Sequence, residues 1–190
     1  MAARERAELI VTGIARTGPL TQVLVGSSVT ALARTSPIPL LVVKKKVLDT
    51  DARVVVASDL SDSSRAALVA GLRWFSIRRL SLFHAFDSPY RGLVDDKEGI
   101  DRRFEAAAVE QGQNFVRDVA GVDVAKFDIV TRRGDAVTGL QIMANEADID
   151  LVIAGTHGRT GLMHALLGSV ASRILNQVPC DVLVVPSRRR

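Results

Sequence analysis

Short apolar runs recur along the chain, each ended by glycine, proline or polar residues, with helical periodicity between them. Arg53-Val-Val-Val-Ala-Ser58 is a run of β-branched residues and predicts a buried strand. Asp59-Leu-Ser-Asp-Ser-Ser64 follows, dense in helix-capping residues, and opens a helix that runs to about Trp74-Phe75. Leu80–Phe86 predicts the second strand, and Asp87–Gly99, with Pro89, two glycines and several charges, a loop. A helix from about Ile100 to Val119 leads to a third strand at Val124–Thr131. Gly134-Asp135 opens a third helix, N-capped by Asp135 and ending near Ala147. Asp150–Gly155 predicts the fourth strand, Ser169–Gln177 the fourth helix and Pro179–Pro186 the fifth strand. Strands alternating with helices predict an α/β fold with an open parallel sheet, helices on both faces and right-handed crossovers.

The chain also repeats itself. Residues 1–48 align without a gap on residues 143–190: Leu9 on Leu151, Gly13 on Gly155, Gly26-Ser27 on Gly168-Ser169, Leu41-Val42-Val43 on Leu183-Val184-Val185. Residues 1–48 are therefore read as a partial, degenerate copy of the last strand–loop–helix–strand unit, with strands at Leu9–Thr12 and Pro39–Val43 and a helix near Ser28–Arg34. Residues 49–190 form the complete domain, and Lys44–Asp51 reads as the linker between the two. So small a unit cannot bury enough surface alone and must pack on the complete domain or on another chain. Met1 falls on Met143, which equally fits the tail end of a longer tandem protein begun at an internal methionine.

Composition narrows the class. With 47% hydrophobic and 24% charged residues, the chain has material for a real core. The apolar runs are strand-sized, so no transmembrane helix or signal peptide is expected, and a cytoplasmic location follows. One cysteine, Cys180, excludes an intrachain disulfide and a cysteine metal cluster, and it reads as a small buried residue. The net charge of +4 includes the runs Lys44–Lys46 and Arg188–Arg190, read as a solvated linker and tail. Aromatic residues are too few for a nucleic-acid stacking surface.

The chemistry concentrates in Gly155–Val170, where an apolar strand ends in glycines and feeds a helix. Glycines let the backbone approach a ligand, and the first N–H groups of the helix attract an anion. The spacing, Gly155-x2-Gly158-x9-Gly168-Ser169, is neither a Walker A loop nor Gly-x-Gly-x-x-Gly. In the N-terminal copy Ala15 replaces His157 and Arg16 replaces Gly158, so that copy is expected to bind such a ligand poorly or not at all. No carboxylate pair, Ser-His-Asp set or metal spacing stands out, so rapid hydrolysis is not expected and any turnover would be weak.

The Gly155–Ser169 spacing, its preceding strand and the following Pro179–Pro186 strand together resemble the ATP-binding loop of the universal stress protein family. The resemblance covers residues 52–186, and residues 8–43 as a half copy. It implies a Rossmann-like sheet of order 3-2-1-4-5, with a crevice where the chain reverses between strands one and four. It implies ATP, with or without Mg²⁺, as ligand, and a stress-response regulator or sensor as function. The backbones of Ala57 and Ala154-Gly155 would border the ligand, Asp59 the nucleoside and Ala85 the adenine pocket. His157, Gly158, Arg159, Gly168, Ser169 and Val170 would line the phosphates or ribose. Each has a blander alternative: a tight turn for the glycines, a helix cap for Asp59, a solvated side chain for Arg159. His84 reads as core, and His164 as structural or surface. Two further functions stay open: an interaction module of the same fold without nucleotide, and a nucleotide-hydrolysing or adenylate-forming enzyme. The resemblance also implies edge-to-edge pairing of last strands, so Leu40–Val43 and Val182–Val185 are expected to pair, within the chain or in a homodimer.

Overall fold

The computed structural model describes residues 7–16, 23–45, 52–75, 80–89, 95–120, 123–146, 149–158 and 167–187. The N-terminal unit contains β1 (Ile10–Gly13), β2 (Ala15–Arg16), β3 (Val23–Leu24), α1 (Ser27–Thr35) and β4 (Leu40–Val43). The remainder alternates β5 (Val54–Ala57), α2 (Asp62–Trp74), β6 (Leu80–Phe86), α3 (Lys97–Ala120), β7 (Asp128–Arg133), α4 (Ala136–Asn145), β8 (Leu151–Gly155), α5 (Ser169–Gln177) and β9 (Asp181–Val185).

The five strands of the second part run β7-β6-β5-β8-β9, all parallel, in the expected 3-2-1-4-5 order. The sheet does not stop there. β9 pairs antiparallel with β4, and β4 parallel with β1, giving one sheet of seven strands. The strands β1 and β4 thus extend the sheet formed by β5–β9 instead of forming a layer of their own. The register centres on Leu41 opposite Leu183, two equivalent positions of the sequence repeat. A pseudo-two-fold axis therefore passes through the β4–β9 seam.

Alternation along the strands sorts the apolar residues onto two faces. Val55, Val152, Val182 and Val184 join Val29 and Ala33 of α1, Val137 and Leu140 of α4, and Ile174 and Leu175 of α5. Val54, Val56, Leu151, Ile153, Leu183 and Val185 join Ala67 and Leu68 of α2 and Phe115 and Val116 of α3. Burying each valine, leucine, isoleucine or phenylalanine among them contributes about 1.5–3 kcal/mol. The two halves of the repeat differ on the second face. α2 packs on β8 and β9, so Ile153 is fully buried, whereas its repeat equivalent Val11 is 60% exposed. Arg73 of α2 reaches the N-terminal unit only at its border, bonding Glu8 at 2.7 Å.

Three sequence expectations are corrected. The third strand begins at Asp128; Val124–Lys126 is a 3-10 turn, because the Asp123 carboxylate accepts the Ala125 N–H and closes it. The helix expected from Ile100 begins at Lys97. Lys44 is not a solvated linker residue: it is 4% exposed and bonded to Val178 and Asp181.

Candidate functional site

β5 and β8 lie side by side with Ala57 opposite Ala154, and the carboxyl ends of both open at the reversal of strand order. Two segments meet there. Ser58–Ser64 leaves β5 and enters α2; Gly155–Gly158 leaves β8.

The first segment is a serine–aspartate network. The Ser58 hydroxyl donates to Ser64 Oγ at 3.0 Å and accepts the Leu60 N–H at 3.0 Å. Asp59 Oδ1 accepts the Ser61 N–H at 3.1 Å and lies 3.2 Å from Ser64 Oγ. This tight turn puts Leu60 at a φ of 64°, a left-handed conformation that costs a non-glycine residue about 1–3 kcal/mol. Asp59 does not cap α2; Ser61 does, accepting the Ser64 N–H. The carboxylate of Asp59 is thereby left facing the glycine loop. Buried His84 bonds the Ser58 carbonyl through Nδ1 at 2.9 Å, so it braces this turn as well as filling the core.

The glycines of the second segment have separate reasons. A Cβ on Gly155 would stand 2.6 Å from the Ser63 carbonyl oxygen, so this glycine lets β8 pass the first turn of α2. A Cβ on Gly158 would stand 2.8 Å from Asp59 Oδ2. One on Gly168 would stand 3.2 Å from the Thr156 carbonyl oxygen, which accepts the Gly168 N–H at 2.7 Å. That bond closes the loop at its base and brings the start of α5 beside the end of β8.

His157 is fixed from two sides. Its N–H donates to Ser63 Oγ at 3.1 Å, and its Nδ1 lies 2.8 Å from Thr156 Oγ1 and 3.4 Å from Ser187 Oγ. Its Nε2 is buried without a hydrogen-bond partner.

The start of α5 is what sets the site apart. α2 and α4 have their first N–H groups capped by the side chains of Ser61 and Asp135. α5 begins at Gly168 with no side-chain cap, and Ser169 and Val170 are exposed. Among the described residues no side chain caps its leading amides, a placement that suits an anion, with the helix dipole behind them. α1 begins the same way at Gly26. There, however, Ala15-Arg16 is held in an antiparallel ladder with Val23-Leu24, so the counterpart of the Gly158 segment is closed on itself.

Of the residues singled out from sequence, Ala57, Asp59, Ala154, Gly155, His157, Gly158, Gly168, Ser169 and Val170 converge on this crevice. Ala85 lies near the end of β6, half-buried, beside β5. Arg159 and His164 lie outside the described residues. Sequence reasoning missed Ser63, Ser64 and Thr156 as parts of the site; the serine density after β5 was a signal, read only as helix capping. Among the described residues there is no group of three or more His, Cys, Asp or Glu that could hold a metal ion, and no helix long and apolar enough to cross a membrane.

Comparison with known proteins gives a consistent result. The model of the universal stress protein family matches residues 1–44 and 52–186. A curated relative, universal stress protein A homolog 2 of Coxiella burnetii, is 28% identical over 144 residues, covering 73% of this chain and 97% of its own. A universal stress protein of Mycolicibacterium smegmatis is 29% identical over 200 residues; the match takes in 98% of this chain but only 64% of that one. The crystal structure of a universal stress protein from Archaeoglobus fulgidus superposes with a TM-score of 0.65 at 20% identity, covering 98% of this chain and 65% of that chain. At that identity it speaks for the fold alone. The chain thus spans about two thirds of the length of these longer relatives.

Proposed function

We propose that this chain, which belongs to the universal stress protein family, binds an adenine nucleotide, ATP, in the crevice between β5 and β8 and acts as a stress-response regulator or sensor. In this reading residues 49–190 are the binding domain and residues 1–48 a partial, non-binding copy. The observation that carries the reading is the uncapped start of α5, brought beside β8 by the Gly168–Thr156 bond.

The residues present fit such a ligand. The amides of Ser169 and Val170, with Gly158 giving close approach, suit the phosphates. The dipole alone is worth only about 0.3–2 kcal/mol per anionic group, so affinity must come from several N–H bonds and from contacts to sugar and base. The Asp59 carboxylate would repel a phosphate and suits a sugar hydroxyl, which donates to it. His157, with an unpartnered buried Nε2, offers one more polar contact beside the phosphates. A magnesium ion would be held mainly by the phosphates and water, as this ion usually is.

The chemistry stops at binding. A hydrolytic role needs a base within hydrogen-bond reach of an attacking water and a group to orient it. Ser61 and Ser64 anchor Asp59 Oδ1 in its turn, which ties that oxygen to the fold. Turnover, if it occurs, is slow.

The test is equilibrium binding of ATP, ADP, AMP and cAMP to the purified chain by calorimetry, with mass spectrometry of any nucleotide that co-purifies. Saturable adenine-nucleotide binding at micromolar to millimolar concentration, lost in Gly158→Arg, is expected. No binding at millimolar nucleotide, with Gly158→Arg indistinguishable from the parent, ends the reading.

A further inference from the structure

At the opposite end of the sheet, Lys44 and Lys45 donate their backbone N–H groups to a single oxygen, Asp181 Oδ1, at 2.7 and 2.9 Å. The Lys44 ammonium donates to the Val178 carbonyl at 2.6 Å, at the C-terminal end of α5, where the helix dipole favours a cation. Asp181 is fully buried and its Oδ2 has no hydrogen-bond partner. A buried carboxylate so incompletely bonded depends on a neighbouring positive charge. Lys44, itself buried, acts on it electrostatically. Lys45 continues the cluster, its Nζ 3.4 Å from Asp150 Oδ1, while the Arg53 N–H donates to Asp150 Oδ2.

The seam around this cluster is nearly symmetric. Leu41 and Leu183 are equivalent positions of the repeat and stand opposite each other. The same geometry would let β9 of one copy pair with β9 of another about Leu183, or β4 with β4 about Leu41. Apolar side chains do not choose among the three pairings, since β4 reads Leu-Leu-Val-Val and β9 Val-Leu-Val-Val after its aspartate. The polar ends do. The repeat places Pro186 where Lys44 stands and Pro39 where Asp181 stands. In a β9–β9 pair each Asp181 would meet Pro186, which has neither N–H nor ammonium. In a β4–β4 pair Lys44 would meet Pro39, which has no carboxylate. A β9–β9 pair would keep only the Ser187 N–H at the Lys45 position, so only the unlike pairing gives Asp181 two consecutive amide donors and a nearby ammonium.

We propose that Asp181 and the Lys44-Lys45 amides form a clasp that decides which strand the β9 edge accepts. The strand it fits ends in two consecutive amide donors and a lysine, which is β4 of the same chain, and a second copy of β9 is excluded. The clasp therefore sets pairing specificity, the role for which a buried polar contact is best suited. It holds whatever the glycine loop binds.

The test exchanges the two ends. Cys180, the single cysteine, is buried next to Asp181, so its reaction rate with Ellman's reagent under native conditions reports opening of the seam. Lys44→Pro is expected to raise that rate at least tenfold. Lys44→Pro combined with Pro186→Lys gives β9 a self-complementary end. This double variant is expected to double its light-scattering mass relative to the parent at the same micromolar concentration and to regain Cys180 protection to within about threefold. An unchanged Cys180 rate in folded Lys44→Pro overturns the proposal, as does a double variant that stays at the parent's mass with Cys180 exposed. Should Lys44→Pro fail to fold by circular dichroism, Lys45→Pro decides. It removes one of the two amide donors to Asp181 and leaves Lys44 in place; a Cys180 rate raised severalfold supports the clasp, and the parent's rate overturns it.

Discussion

Gly158 stands directly over the carboxylate of Asp59, so that a Cβ at 158 would lie 2.8 Å from Asp59 Oδ2. The obstacle is a side-chain tip, which can yield, but Asp59 Oδ1 is held by Ser61 and Ser64. Gly158→Ala should therefore leave stability within about 1 kcal/mol of the parent, since overpacking against a movable group is mild. Nucleotide affinity should fall at least tenfold, because the displaced carboxylate and the added methyl both enter the site. Calorimetric titration beside thermal unfolding checks the pair of outcomes.

Gly155→Ala separates the two kinds of glycine. Here the added atom meets backbone, 2.6 Å from the Ser63 carbonyl oxygen. Either β8 or the first turn of α2 must move, at a cost of about 1–3 kcal/mol. For a chain of this size that lowers the unfolding midpoint by about 2–4 °C per kcal/mol. A midpoint equal to that of Gly158→Ala would contradict the distinction.

Asp135 caps α4 by accepting the Thr138 N–H and also bonds Arg173 of α5 through two contacts of 2.8 and 2.9 Å. The Arg173 and Thr138 bonds hold its carboxyl well below the usual carboxylate range. A depressed folded-state value means stability fully present above the unfolded value near 4 and lost as pH falls below it. Both side chains are well exposed, so the ion pair itself contributes little. Asp135→Asn, which keeps the cap, should leave the urea midpoint at pH 7 nearly unchanged. Asp135→Ala should lose about 1 kcal/mol of capping, and below pH 4 Asp135→Asn should converge on the parent, its acid loss smaller only by the little it gave up at pH 7.

Lys44 and Cys180 oppose one another at high pH. Burial brings Lys44 down to about 8, against the partial support of neighbouring charges. Between about pH 8 and 10.4 the folded state then binds fewer protons than the unfolded one, and stability rises with pH. Burial pushes the Cys180 thiol up to about 11. From about pH 8.5 to 11 the unfolded state loses a proton that the folded state keeps, and stability falls. Urea midpoints should rise from pH 8 to about 9 and then level off in the parent. They should keep rising to above pH 10 in Cys180→Ala and decline above pH 9 in Lys44→Met.

Val11 and Ile153 occupy equivalent positions of the repeat with opposite surroundings, 60% exposed and fully buried. Val11→Ala should change stability by no more than about 0.5 kcal/mol, while Ile153→Ala should cost about 2–5 kcal/mol. Equal effects would mean that the second face of β1 is covered in solution.

Local signals carried much of this fold. Leu80–Phe86 and Ser169–Gln177 stand where the pattern of apolar positions places them, and Asp135 caps its helix as its position implies. The glycine spacing picked out the segment that meets Asp59. What escaped was non-local. Val124-Ala125-Lys126 carries apolar residues fit for a strand but yields to the aspartate before it. Lys44 looked like one of three solvated lysines until a carboxylate 137 residues away took up its N–H. The need for Gly155 comes from Ser63, in another element altogether. That the N-terminal unit shares the sheet could be expected from its exposed apolar edge; which edge it would choose rested on two prolines and one aspartate.

Because β4 runs against β9, the ends of β8 and β1 point toward opposite poles of the sheet. One pole holds the start of α5, without a side-chain cap, and the Asp59 carboxylate beside Gly158. The other, where Lys44 and Asp181 interlock, is occupied with keeping the chain folded onto itself. The crevice and the polar seam thus sit at opposite ends of a single sheet.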